Sequence, residues 1–182
     1  LVNGDYLHDR DYRGEDKLIA VLDNGFAGVD RMIGFDSLNY NSRLIDQFNF
    51  VQHNNDVFSG RYNHGTSALS TMAANIPGKY VGTAPNAAYV LYVTEDDANG
   101  EMEIELDNLL AATERADSIG ADIVTVSLGY NTFTAPFTQL SYSYADIDGK
   151  TTIAAKAANI ATMKGMLFVA SAGNEGTSPW KY

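Results

Sequence analysis

The chain has 182 residues, 45% hydrophobic and 19% charged, a composition that fits one globular domain able to bury a core. Its formal net charge of -11 disfavours nucleic acid as the main ligand, because phosphate binding uses clustered lysine and arginine and the 12 here are scattered. The absence of cysteine excludes a disulfide framework and thiolate chemistry. No apolar run reaches the length of a membrane-spanning helix.

The secondary-structure pattern alternates buried strands with helices. Four apolar runs bounded by turn residues predict strands at 17–22, 87–93, 121–127 and 166–171. Helices are predicted from His64, over 101–119, where the apolar residues fall on one stripe, and over 151–164, where alanine is frequent. Strands joined by helical crossovers predict an α/β fold: a doubly wound, mainly parallel sheet with helices on both faces.

Three further segments are harder to assign. Residues 24–63 are interpreted as loops around one strand at 48–51, and residues 130–150 as an insertion beside the site. The acidic segment 95–100 resembles the start of an EF-hand calcium loop, but the twelfth position would be Leu106, which is not a ligand. We therefore interpret this segment as a helix start with Asn99 near the N-cap.

The polar residues that could carry chemistry follow the predicted strands or open a helix. Asp23 ends the first strand, Ser127, Leu128 and Gly129 end a later one, and Ser171, Ala172, Gly173 and Asn174 follow the last. In a parallel doubly wound sheet, ligands gather at the carboxyl ends of the strands. The segments therefore predict one shared site, although each taken alone could be a simple turn after a strand, as Asp23-Asn24-Gly25 illustrates.

In this order, the segments resemble the subtilisin-like serine peptidases, the subtilase family. The resemblance runs from about residue 17 to 176 and also includes linking pieces. These motifs carry it: Lys17 to Leu22 leading to Asp23-Asn24-Gly25, His64-Gly65-Thr66, Gly82-Thr83-Ala84-Pro85, Thr125 to Gly129, and Ser171 to Gly176. One departure is Asn24, which stands where the family usually has serine or threonine.

The resemblance implies a role for each candidate residue. Asp23 would orient His64, and His64 would act as the general base. Asn174 would donate its amide to the oxyanion; in subtilisin, loss of the equivalent donor costs about a hundred- to a thousandfold in turnover. Ser127, Leu128 and Gly129 would pair with an extended polypeptide substrate, and Ser171, Ala172 and Gly173 would wall the pocket for the residue before the cleaved bond.

The nucleophile is missing from this pattern. The family places a Gly-Thr-Ser-Met-Ala segment beyond the asparagine, and no such segment follows Asn174 here. Gly65-Thr66-Ser67-Ala68 mimics it but belongs to the helix of His64, so Ser67 is a poor candidate. We expect a partial peptidase catalytic domain over 1–182, prone to self-association or to pairing with a missing carboxy-terminal part. The alternative is a non-catalytic pseudopeptidase that binds extended peptides.

The sequence gives little support to the other functional classes. A doubly wound domain with Asp23 as phosphoacceptor would need a second acid where Gly25 stands. Zinc-ligand spacing, His-Glu-x-x-His, dinucleotide and P-loop motifs are all absent from the sequence. We therefore expect no required cofactor and assign no metal ligand. Subtilases often carry structural calcium, which we do not map, and the resemblance implies a bacterial, secreted or otherwise extracytoplasmic location.

Overall fold

A computed structural model describes residues 3–174 and 176–177 of the chain. Glu175, within the motif 171–176, and the ending 178–182 lie outside the described residues. The strands are β1 (Leu18–Asp23), β2 (Leu44–Asn49), β3 (Asn75–Ile76), β4 (Tyr80–Val81), β5 (Ala88–Val93), β6 (Ile123–Val126) and β7 (Leu167–Ala170). The helices are α1 (Gly4–His8), α2 (Asp36–Tyr40), α3 (His64–Ala73), α4 (Ile104–Ser118) and α5 (Ile153–Met163).

Five of the strands form one parallel sheet in the order β2-β5-β1-β6-β7. The first strand in the chain is thus the central one, and β5 and β6 flank it. β3 and β4 form a separate antiparallel pair. The order reverses around β1, as expected of a doubly wound sheet, and the predicted fold class is confirmed.

The two faces of the sheet bury different helices because successive residues of a strand point to opposite sides. On β1, Ile19 and Val21 pack into a core that includes Leu69 of α3. Ala20 and Leu22 pack into the other core, with residues of α4 and α5. Small residues such as Ala112, Ala157 and others on these two helices allow close packing against that face.

Two boundaries differ from the sequence prediction. The strand expected at 48–51 is observed at Leu44–Asn49, because its pairing with β5 ends at Asn49↔Val93 and the chain then folds back through an Asn49↔Asn54 bridge. The region expected to be loops also contains helix α2.

Helix α4 begins at Ile104 rather than near Glu101, and Asn99 is not its cap. Instead, the carboxylate of Glu105 accepts the backbone N–H groups of Asp96 and Met102, which holds the segment before the helix in a loop. Among the residues described, no helix has both the length and the apolar character needed to cross a membrane.

Candidate active site

The candidate site begins at the carboxyl end of the central strand. Leu22 of β1 pairs with Val126 of β6, which in turn pairs with Ala170 of β7. The next residues along these strands, Asp23, Ser127 and Ser171, therefore start their loops side by side at one edge of the sheet, with neighbouring strands about 4.8 Å apart. This alignment places the segment that begins at Ser127 on the strand beside Asp23, and the segment that begins at Ser171 one strand further away.

Asp23 and His64 are in direct contact. The Nδ1 atom of His64 lies 2.7 Å from Oδ1 of Asp23. The Asp23 side chain is fully buried, whereas the imidazole is 54% exposed. One edge of the ring thus meets a buried carboxylate while the rest remains accessible to a ligand.

Gly65 makes this approach possible. A Cβ atom added at this position would lie 2.6 Å from the carbonyl oxygen of Gly25 and 2.9 Å from Cβ of Asp23. Both distances are shorter than normal non-bonded contacts, and the carbonyl cannot swing away as a flexible side chain could. The first turn of α3 can therefore lie against the end of β1 only because residue 65 has no side chain.

The two carboxylate oxygens of Asp23 differ in their hydrogen-bond partners. Its Oδ1 atom accepts both the His64 Nδ1–H and the backbone N–H of Asn24, at 2.8 Å, whereas Oδ2 is buried and has no partner among the described residues. Burial raises the pKa of Asp23, although the hydrogen bonds from His64 and Asn24 act in the opposite direction. The Asn24 side chain points elsewhere and donates to Asp97.

The other predicted residues surround one pocket of about 350 Å³. Its lining includes all seven candidates from the two later segments: Ser127, Leu128, Gly129, Ser171, Ala172, Gly173 and Asn174. The hydroxyl of Ser171 donates to the carbonyl oxygen of Leu128, at 3.3 Å, so the two segments also touch each other. Ile147 completes part of the wall, which places the 130–150 segment beside the pocket as expected.

Ser67, the mimic of a nucleophile, lies on α3 and faces its own helix. Its hydroxyl donates to the carbonyl oxygen of Asn63, at 3.2 Å. A second serine on the helix, Ser70, makes the same kind of internal bond to Ser67. The described contacts of Ser67 are those of a helix-surface serine.

Sequence reasoning missed a group of carboxylates next to the pocket. One carboxylate oxygen from each of Glu95, Glu101 and Glu105 lies within 4.8 Å of the others. Glu95 follows β5, and its carboxylate accepts hydrogen bonds from the hydroxyls of Thr94 and Tyr130. The acidic composition of residues 95–105 was a visible signal, but it does not show which of these side chains turn inward.

Glu95 gives a pH-dependent stability prediction. Burial, with a smaller contribution from the neighbouring glutamates, raises the pKa of its carboxyl to about 8. The folded protein then holds a proton that the unfolded chain releases above about pH 4.5, so the free energy of unfolding falls as the pH rises from about 4.5 to 8. Glu95→Gln keeps both hydroxyl bonds without the charge and should stabilise the protein by about 2–4 kcal/mol at pH 8.5.

Urea unfolding at pH 4.5 and at pH 8.5 measures this difference. Glu103→Gln is the matched control, since that side chain makes no capping hydrogen bond to helix α4. We expect Glu95→Gln and wild type to be similar at the lower pH and to diverge at the higher one. Equal losses of stability with pH in wild type and Glu95→Gln would contradict the assignment.

Comparison with known proteins identifies the family. A family model described as the subtilase family, peptidase S8, matches residues 14–182. The chain belongs to the subtilase family. The family resemblance seen in the sequence motifs is thus confirmed, and it extends over nearly the whole chain.

Curated relatives of this subtilase are bacterial peptidases. It is 30% identical over 176 residues to a thermophilic serine proteinase of Bacillus sp. (strain AK1), covering 96% of the chain and 37% of that protein. It is 28% identical over 181 residues to the minor extracellular protease Vpr of Bacillus subtilis (strain 168), covering 94% of the chain and 19% of that protein. The subtilase chain therefore spans well under half the length of both relatives.

Solved structures share the fold. The prenylagaramide maturation protease PagA superposes with a TM-score of 0.66 and 20% identity, covering 97% of this chain and 52% of that one. Fervidolysin from Fervidobacterium pennivorans superposes with a TM-score of 0.64 and 23% sequence identity, covering 93% of this chain and 23% of that one. At these identities the likeness supports the subtilase fold alone.

Proposed function

We propose that this chain is the acid- and base-bearing part of a serine endopeptidase catalytic domain. In this proposal Asp23, His64 and a serine outside residues 1–182 form the catalytic triad. The observation that carries it is the 2.7 Å contact between Nδ1 of His64 and Oδ1 of buried Asp23. A carboxylate in that position fixes the tautomer and orientation of an imidazole that acts as general base.

The proton path follows from this contact. Because ionised Asp23 can only accept, Nδ1 of His64 carries the hydrogen and Nε2 is left as the basic nitrogen. Nε2 would take the proton of the serine hydroxyl as the serine attacks a peptide carbonyl, and would return it to the leaving amine when the acyl-enzyme forms. The buried negative charge of Asp23 would stabilise the imidazolium between these steps.

The pocket supplies the remaining roles in the proposal. Ser127, Leu128 and Gly129 would bind an extended polypeptide by backbone hydrogen bonds, and Ser171, Ala172 and Gly173 would contact the side chain before the cleaved bond. Asn174, at the same pocket, would donate its side-chain amide to the tetrahedral oxyanion. The alignment of the carboxyl ends of β1, β6 and β7 supports this division of roles.

We extend the proposal to partner and location. Among the strands of the described residues, β7 lies at an edge of the sheet, and Leu167 and Val169 on it are 58% and 44% exposed. Such an open apolar edge favours packing by a further part of the peptidase domain, consistent with the chain covering about half of the PagA structure. Because one matched relative is named an extracellular protease of Bacillus subtilis, we propose that this peptidase is bacterial and secreted.

Labelling of the natural full-length protein with a fluorophosphonate probe tests the proposed function. We expect one labelled serine, outside residues 1–182, and loss of labelling when the imidazole of His64 is removed. Peptide mapping by mass spectrometry locates the label. Labelling at Ser67 would overturn the assignment of residues, and an unlabelled full-length protein that still binds extended peptides would establish a pseudopeptidase instead.

A further inference from the structure

The carboxylates of Glu95, Glu101 and Glu105 form a cluster, within 4.8 Å of one another, that extends to the proposed substrate pocket. Glu95 and Glu105 are buried, at 6% and 2% exposure, whereas Glu101 is exposed and lines the pocket itself. The cluster thus has two inner members and one member that a bound substrate could touch.

The inner carboxylates are held by neutral donors. Glu95 accepts from the hydroxyls of Thr94 and Tyr130, and Glu105 accepts from two backbone N–H groups. Within residues 3–174 and 176–177, none of the observed ion pairs involves a member of the cluster. In the described part of the chain, three acids are therefore crowded together without an ion pair to offset their charge.

The ionisation of the cluster follows from its burial. The pKa of Glu95 is raised to about 8, mainly by burial, so Glu95 is largely protonated at neutral pH, and burial also raises the pKa of Glu105. Burial and the charges of Glu105 and Asp97 also raise the pKa of Glu101. A positive charge placed beside Glu101 would relieve this repulsion.

The pocket offers space and access for such a charge. It has a volume of about 350 Å³, and Glu101 lines it together with Ser127, Leu128 and Gly129 and with Ala172 and Gly173. Its described lining contains no lysine, arginine or histidine. A substrate strand bound along 127–129 would thus pass Glu101, and an aliphatic side chain with a cationic end could extend towards the carboxylate.

We propose that Glu101 makes this pocket selective for substrates with lysine or arginine on the amino-terminal side of the cleaved bond. The inference rests on the proposed peptidase function and adds the substrate class to it. Attraction between Glu101 and the substrate cation favours the basic residue over a neutral one of the same shape. Glu101 acts here as a specificity-determining residue.

The test uses the natural full-length peptidase and matched peptides. Each peptide has arginine, or its neutral isostere citrulline, at one of the four positions before the cleaved bond in an otherwise uncharged sequence. We expect arginine to exceed citrulline in kcat/KM by roughly tenfold at one position. The ratio should fall in 0.5 M NaCl, since salt screens a partly exposed charge pair.

Variants separate the contribution of Glu101 from the general charge of the protein. Glu101→Gln should bring the arginine-to-citrulline ratio close to one, and Glu101→Lys should turn it into a preference for glutamate at that position. Glu103→Gln is the control: it removes a nearby charge that lines a different pocket, and should keep the wild-type ratio.

Three outcomes would overturn the inference, and a fourth would instead contradict the proposed peptidase function. A ratio of one in wild type, or a ratio unaffected by Glu101→Gln, removes Glu101 from substrate selection. Calcium-dependent stabilisation that Glu101→Gln abolishes, with an unchanged peptide ratio, would assign the cluster to a metal ion. If neither wild type nor Glu103→Gln cleaves any peptide, the peptidase function itself fails.

Discussion

His64→Ala in the full-length peptidase should lower kcat/KM for peptide hydrolysis by roughly 10⁴-fold or more, as removal of a triad member does in serine peptidases. Without the imidazole no group accepts the serine proton, and neither Asp23, which is fully buried, nor solvent replaces it in the correct position. The fold should persist, because the ring is 54% exposed and fills little of the core.

The measurement is steady-state cleavage of a peptide substrate, with circular dichroism to verify the fold. His53→Asn is the matched control: this histidine is exposed, and asparagine tolerates its positive φ of 51°. Undiminished cleavage by His64→Ala would remove His64 from the mechanism.

Asp23→Asn should lower kcat by roughly 10³–10⁴-fold. The geometry makes this variant informative, because His64 and the backbone N–H of Asn24 both donate to the same oxygen, Oδ1. If the amide turns its NH₂ towards His64, it donates to Nδ1, and His64 then carries its hydrogen on Nε2 and has no basic nitrogen for the serine. The expected loss therefore reports the wrong tautomer of His64 together with the missing negative charge that stabilises the imidazolium.

Steady-state kinetics at neutral pH measure the effect, and Asp30→Asn provides a control with an exposed aspartate. KM should change less than kcat, because Asp23 is buried and does not contact the substrate. A loss of less than about tenfold would show that neither the charge of Asp23 nor its control of the His64 tautomer contributes much to catalysis.

The sequence determined the sheet and the order of the site segments. Runs of buried residues such as 17–22 and 87–93 predict central parallel strands because they are apolar without alternation. The observed β1 and β5 differ from these predictions by one residue at most at either end. The predicted strand at 48–51 and the predicted helix start at 101 were wrong, because the pairing register with β5 and the hydrogen bonds of Glu105 decide these boundaries. Neither is a local property of the chain.

The same distinction between sequence and tertiary structure applies to the candidate site. The sequence by itself determined which residue types follow the strands: an acid at Asp23, an imidazole opening a helix at His64 and an amide at Asn174. Only the tertiary structure decided that Asp23 and His64 touch, that Gly65 permits this contact, and that Glu101 joins Glu95 and Glu105 beside the pocket. The physical reason is that strand periodicity fixes where a side chain emerges, whereas the direction of a loop side chain depends on neighbours distant along the chain.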